Sequence, residues 1–165
     1  MLRSFLTLFA SLGVAALAVA QQPSVTVEPY HLDGPRTLEQ QTANAVVRDY
    51  LESWQSMRTA LNQNSAAALG RDFTGQAMEK LAKTVEQQAK LGIHTQYTDT
   101  AHDVQIVFYS PEGLSVELID KVEYDVRVFD HDKPAGTQHV SARYVVVLTP
   151  SEVRWRVRVF QAIPR

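Results

Sequence analysis

The sequence contains no cysteine. That excludes disulfides, iron–sulfur clusters, thiolate zinc sites, a cysteine nucleophile and a lipid-modified cysteine. It also lacks a basic excess: 16 Lys+Arg stand against 18 Asp+Glu, a formal net charge of −2. A general nucleic-acid binder usually carries a basic domain, so no nucleic-acid partner is expected. There is no G-x-G-x-x-G, no phosphate loop and no serine in a nucleophile elbow. No cofactor is therefore expected. Asp130-His131-Asp132 is the one local cluster with metal-ligand chemistry. It lacks a spaced fourth ligand and sits where a turn would favour such residues anyway, so no metal is expected either. His94 and His139 stand alone.

What is present is apolar material in regular patterns. Hydrophobic residues make up 45% of the 165. That length points to one domain, and a chain of about 150 residues buries roughly 68–70% of its unfolded surface without a staple. Residues 1–20 read as a secretory leader. Arg3 is the positive start, Phe5 to Val19 is an uncharged apolar run, and Ala18-Val19-Ala20 offers small residues at the cleavage position. The run falls short of the roughly 20 residues that span a bilayer, so membrane attachment follows only if the leader stays uncleaved. The expected location is exported, periplasmic or extracellular. Residues 21–36, with Pro23, Pro29, Gly34 and Pro35, read as an extended lead-in or tether. The domain then covers 37–165.

Thr37 and Gln40 form a capping-box pattern. Ala43, Val47, Tyr50, Trp54, Met57 and Leu61 then recur at steps of four and three, one stripe of a helix over roughly residues 37–62. Ser65 can cap a short helix over 66–70. Thr74 can start a third that ends at Gly92, a residue suited to a left-handed helix end. Beyond Gly92 the period changes to two. Four strand patterns follow, holding Val104 to Phe108, Val116 to Val128, Val140 to Leu148 and Val153 to Val159, with turns at Pro111-Glu112-Gly113, Asp130 to Gly136 and Thr149-Pro150-Ser151.

Alternation puts Val104, Val126, Tyr144 and Trp155 on an inner face toward the helices. The outer face carries Arg127, Arg143, Arg154, Arg156 and Arg158 with Glu123 and Asp125. Val107, Tyr109, Phe129, Val145, Val147 and Phe160 share that parity. Six large apolar groups on a wet face ask for cover, either from the lead-in or from a partner. The interface reading makes them a contact for a protein partner or a second copy, with Arg143 and Arg156 at the rim.

The order helix, short helix, helix and long curved antiparallel sheet resembles the NTF2-like family. Within it, Ala45 to Leu69 with Tyr50, Leu51, Trp54 and Ala60, then Phe73-Thr74-Gly75-Gln76-Ala77-Met78, Gly92, Tyr97 and a last strand around Trp155, is similar to the intermembrane-space domain of plastid-division proteins and their cyanobacterial relatives. The resemblance implies an α+β cone, three N-terminal helices packed on a curved four-stranded antiparallel sheet, and a non-enzymatic interaction domain. No J-domain accompanies it, so the division role is not carried over. A small apolar ligand in the cone is compatible with this reading, with Trp54, Tyr124 and Trp155 lining the space.

The same family also includes small enzymes of the ketosteroid-isomerase and polyketide-cyclase kind, which place a carboxylate or histidine inside the cone. Here alternation points Asp120 and His102 inward, near Tyr50 and Tyr144. The enzymatic alternative makes Asp120 a base and Tyr50 or Tyr144 a donor to a developing oxyanion. Against it, the pair Ile119-Asp120 fits a β-bulge, which would send Asp120 to water.

Overall fold

The computed structural model describes residues 22–163. The expected leader, residues 1–20, lies outside them. In chain order the elements are strand β1 (Ser24–Val27), helix α1 (Gln40–Gln63), a 3-10 helix (Ala66–Arg71), helix α2 (Gly75–Leu91), and strands β2 (Ile93–Tyr109), β3 (Val116–Asp130), β4 (Lys133–Pro150) and β5 (Trp155–Ile163). They form one sheet in the order β1-β2-β3-β4-β5. The fold is α+β with five strands, not the four expected. The fifth comes from the lead-in: β1 pairs in parallel with Ala101 to Val104 of β2. Its four residues alternate polar and apolar, Ser-Val-Thr-Val, too short a run to stand out beside the neighbouring prolines.

All six residues of the predicted α1 stripe are buried. The helix starts at Gln40, not at Thr37, and no side chain caps it. Glu39 before it is extended, and Leu38 is buried in the core. Asn64 ends the helix in the left-handed region, with φ 50°. Ser65 caps the 3-10 helix by accepting from the Ala67 N–H. Gly92 ends α2 at φ 69°, as its position implied.

The inner face of the sheet is continuous although its strands are not regular. Along β3 the inward residues are Val116, Leu118, Asp120, Val122 and Tyr124, all buried. Along β2 two irregularities shift the register, between Asp99 and Ala101 and between Ile106 and Phe108. A third lies between Val147 and Leu148 on β4, opposite Val157 and Val159 of β5. Each adds one residue to a strand and reverses which parity faces the core.

These shifts correct part of the outer-face expectation. Tyr109 lies in the core and pairs with buried Val116, while Phe108 is exposed instead. Phe160 also turns inward, its ring stacked on Tyr144 at 4.6 Å and edge-on to Trp54 at 5.6 Å. Phe129 stays outside but is stacked on His94 at the far end of the sheet. Val107 is half-buried within the β2 irregularity. Of the expected row, Val145 and Val147 remain, opposite Ile119 and Val159 respectively. Arg156 is no rim residue: its guanidinium donates to the Gly70 and Phe73 carbonyls. Arg154 precedes β5, so it lies on neither sheet face, and it pairs with buried Asp72 and with Glu52.

Candidate functional site

The cone interior is filled, not open. Trp54 lies at its centre against Tyr124, Tyr144, Phe160 and His102. The Tyr124 and Tyr144 hydroxyls meet at 3.0 Å. Half-buried Trp155 packs at the margin, its backbone N–H donating to Asp49. A small ligand in this space would have to displace one of these rings.

Through this apolar filling runs one polar chain. Asp120 is fully buried and faces inward, so β3 has no bulge at Ile119-Asp120. Its Oδ2 accepts the Tyr50 hydroxyl at 2.7 Å and lies 2.7 Å from His102 Nδ1. His102 Nε2 in turn lies 3.3 Å from Asp99 Oδ2. The other Asp99 oxygen pairs with Arg58 on α1. Tyr50, Asp120, His102, Asp99 and Arg58 thus run in order from core to surface. Burial, then the Asp120 charge, hold the Tyr50 hydroxyl well above the ordinary phenol range. The Tyr144 phenol is pushed up mainly by burial and by its bond with Tyr124. Partial burial lowers the Arg58 guanidinium.

Strict alternation puts Asp99 and His102, three apart, on opposite faces. The irregularity between Asp99 and Ala101 turns both inward and makes their contact possible. Asp99 and Arg58 were therefore missed by sequence reasoning. One signal was available: Tyr97 and Val104 are both core-facing apolar residues of opposite parity, which requires an inserted residue between them.

Chemically, both His102 nitrogens face carboxylate oxygens, and neither points to free space. Two recesses lie between α1 and β1, and one of them adjoins the chain's outer end. One of about 550 Å³ is reached by His102, Asp99, Arg58 and Tyr97. The other, also about 550 Å³, is lined mainly by apolar groups. Trp54, Tyr124, Tyr144 and Trp155 line neither. Among the described residues no group of three acidic or histidine side chains is placed to hold a metal ion. The Asp130-His131-Asp132 segment forms a hairpin corner, with His131 and Asp132 at positive φ.

No protein-family model matches this sequence. No curated protein matches it either. Solved structures do. The intermembrane-space region of the chloroplast protein ARC6 superposes with a TM-score of 0.62 at 13% identity, over 79% of this chain and 100% of that one. A protein of Novosphingobium aromaticivorans described as a candidate scytalone dehydratase gives 0.53 at 12% identity, over 76% and 89%. Kfla4162 of Kribbella flavida gives 0.51 at 11%, over 73% and 90%. Among the described residues no helix is long and apolar enough to cross a membrane. The chain has an NTF2-like fold that resembles the intermembrane-space region of ARC6.

Proposed function

We propose that this protein is an exported, non-catalytic module that associates with a second copy of itself through the outer face of its sheet. The observation that carries this reading is the apolar group Ile119, Val145, Val147 and Val159. They are cross-strand neighbours on the face away from both helices, and all are only partly buried. Exposed Arg143 and Lys121 face each other beside it and supply a charged border. Apolar centres with polar rims are the composition of interfaces. The interior chain supports the same reading, since its carboxylates and imidazole are bonded to one another.

Light scattering after size exclusion, over a range of protein concentrations, tests it. Wild type is expected as a dimer. Val145→Glu and Val147→Glu are expected as monomers with unchanged circular dichroism, because both side chains point away from the core. A monomeric wild type, or variants that keep its assembly, would overturn the reading.

A second reading is favoured by one observation: buried Asp120 holds His102 and Tyr50 on a single oxygen. A carboxylate that orients an imidazole beside a cleft is an acid–base arrangement. Turnover of a bound compound by wild type, absent in Asp120→Asn, would establish it.

A further inference from the structure

The two recesses beside α1 share two wall residues and are taken together as one cleft. They meet at Arg48 and Leu51, and each is about 550 Å³, within the roughly 300–1,000 Å³ of small-molecule sites. β1 makes one wall. Val25 and Val27 lie two residues apart on it, one in each recess, and are 43% and 45% exposed. α1 makes the other wall, with Val47 and Leu51 in the apolar recess and Arg58 at the far end.

The chemistry is graded along the cleft. Val27, Pro29, Tyr30, Ala43, Val47 and Leu51 dominate one end. At the other, the buried chain emerges in the order carboxylate, imidazole, carboxylate, guanidinium. The outermost group is the Arg58 guanidinium. Arg58 is partly desolvated, and a guanidinium has five N–H donors, more than its contact with Asp99 uses. Arg48, where the recesses meet, donates two hydrogen bonds to the buried Asp49 carboxylate. The nearby acid Glu52 is engaged by Arg71 and Arg154. Glu28 lines the apolar end, at the opposite end of the cleft from Arg58.

The geometry points to a binding site for an unbranched alkyl carboxylate. Its chain lies between β1 and α1, and its head group is held by Arg58. Calorimetric titration of the purified protein with dodecanoate, decanoate and dodecyltrimethylammonium, all below their micellar concentrations, tests it. Dodecanoate should bind saturably. Each methylene contributes about fourfold in affinity, so decanoate should bind roughly fifteenfold more weakly. The cationic amphiphile should bind at least tenfold more weakly than dodecanoate. Arg58→Gln should weaken dodecanoate at least tenfold and spare the cationic probe. Val27→Glu puts a like charge in the apolar half from an exposed position, so it leaves the fold intact and should also weaken dodecanoate. Equal affinity for the two head groups, wild-type affinity in Val27→Glu, or no saturable binding would each overturn the site.

Discussion

Asp120 sits on a strand face where its neighbours are Leu118 and Val122, and two polar groups, the Tyr50 hydroxyl and His102 Nδ1, meet its Oδ2 there. Removing one is the direct test. Tyr50→Phe keeps the ring and deletes the hydroxyl. Hydrogen bonds to charged groups contribute about 1.5–3 kcal/mol, so urea unfolding at pH 7 should show a loss of that size. The pH dependence has a defined sign. Tyr50 is raised in the folded state, so the folded protein holds its proton where the unfolded chain, titrating near about pH 10, releases it. That stability is full below the unfolded value and is lost as pH rises above it. The gap between wild type and Tyr50→Phe should therefore narrow from pH 9 to pH 11. A gap that widens would mean that Tyr50 ionises readily in the folded protein. Alternation alone placed Asp120, His102 and Tyr50 in one space. It could not decide against a bulge at Asp120, because a bulge is chosen by strand pairing and not by the two residues themselves. Asp99 and Arg58 joined the chain only through such a pairing.

At the scale of elements, the ends are set locally and the faces are not. Gly92 illustrates the first. It takes φ 69° after α2, its carbonyl accepts the His131 N–H, and a Cβ there would stand 2.6 Å from the His131 ring. Gly92→Ala should cost about 1–2 kcal/mol for the backbone conformation plus a steric contribution. The steric part should be relieved in Gly92→Ala/His131→Ala, giving a coupling of about 0.5 kcal/mol or more in a denaturant double-mutant cycle. Strict additivity would show that the ring moves aside freely. The irregularities in β2 and between β4 and β5 illustrate the second point. Regular alternation held from Val116 to Val126, where β3 has no bulge; its apolar inward residues were legible, and Asp120, which the sequence also fitted to a bulge, was not. It failed beyond Ile106 and at Phe160, each time past an inserted residue. Extra residues satisfy the partner strand's spacing, so a single strand read alone does not reveal them.

For the molecule as a whole, the lead-in is part of the domain. Glu28 N–H donates to the Val104 carbonyl, Tyr30 and Leu32 pack on the core, and Arg36 covers the Tyr109 ring at 5.6 Å. These contacts lie after β1, whose own four residues are all exposed. A chain beginning at Glu28 should therefore fold. Its melting temperature should fall by only a few degrees, since about 1 kcal/mol corresponds to roughly 2–4 °C in a chain of 150 to 250 residues. It should lose the wall that carries Val25 and Val27, and with it dodecanoate binding. A collapse of the melting transition would show that β1 closes the sheet edge for stability and not only for the cleft.

From α1 onward the sequence by itself determined the element types and their order, because helical period, strand period, the left-handed stop at Gly92 and the turn residues act over a few neighbours. It also determined the α1 stripe, since 3.6-residue spacing leaves one face to bury. Only the tertiary structure decided the sheet's fifth strand, the inward turn of Tyr109 and Phe160, and the meeting of Asp99 with His102. Those depend on which strand lies alongside and where an extra residue is accommodated. Pairing partners 18 to 106 residues apart settle such questions, as Asp120 with His102 and Trp155 with Asp49 do here.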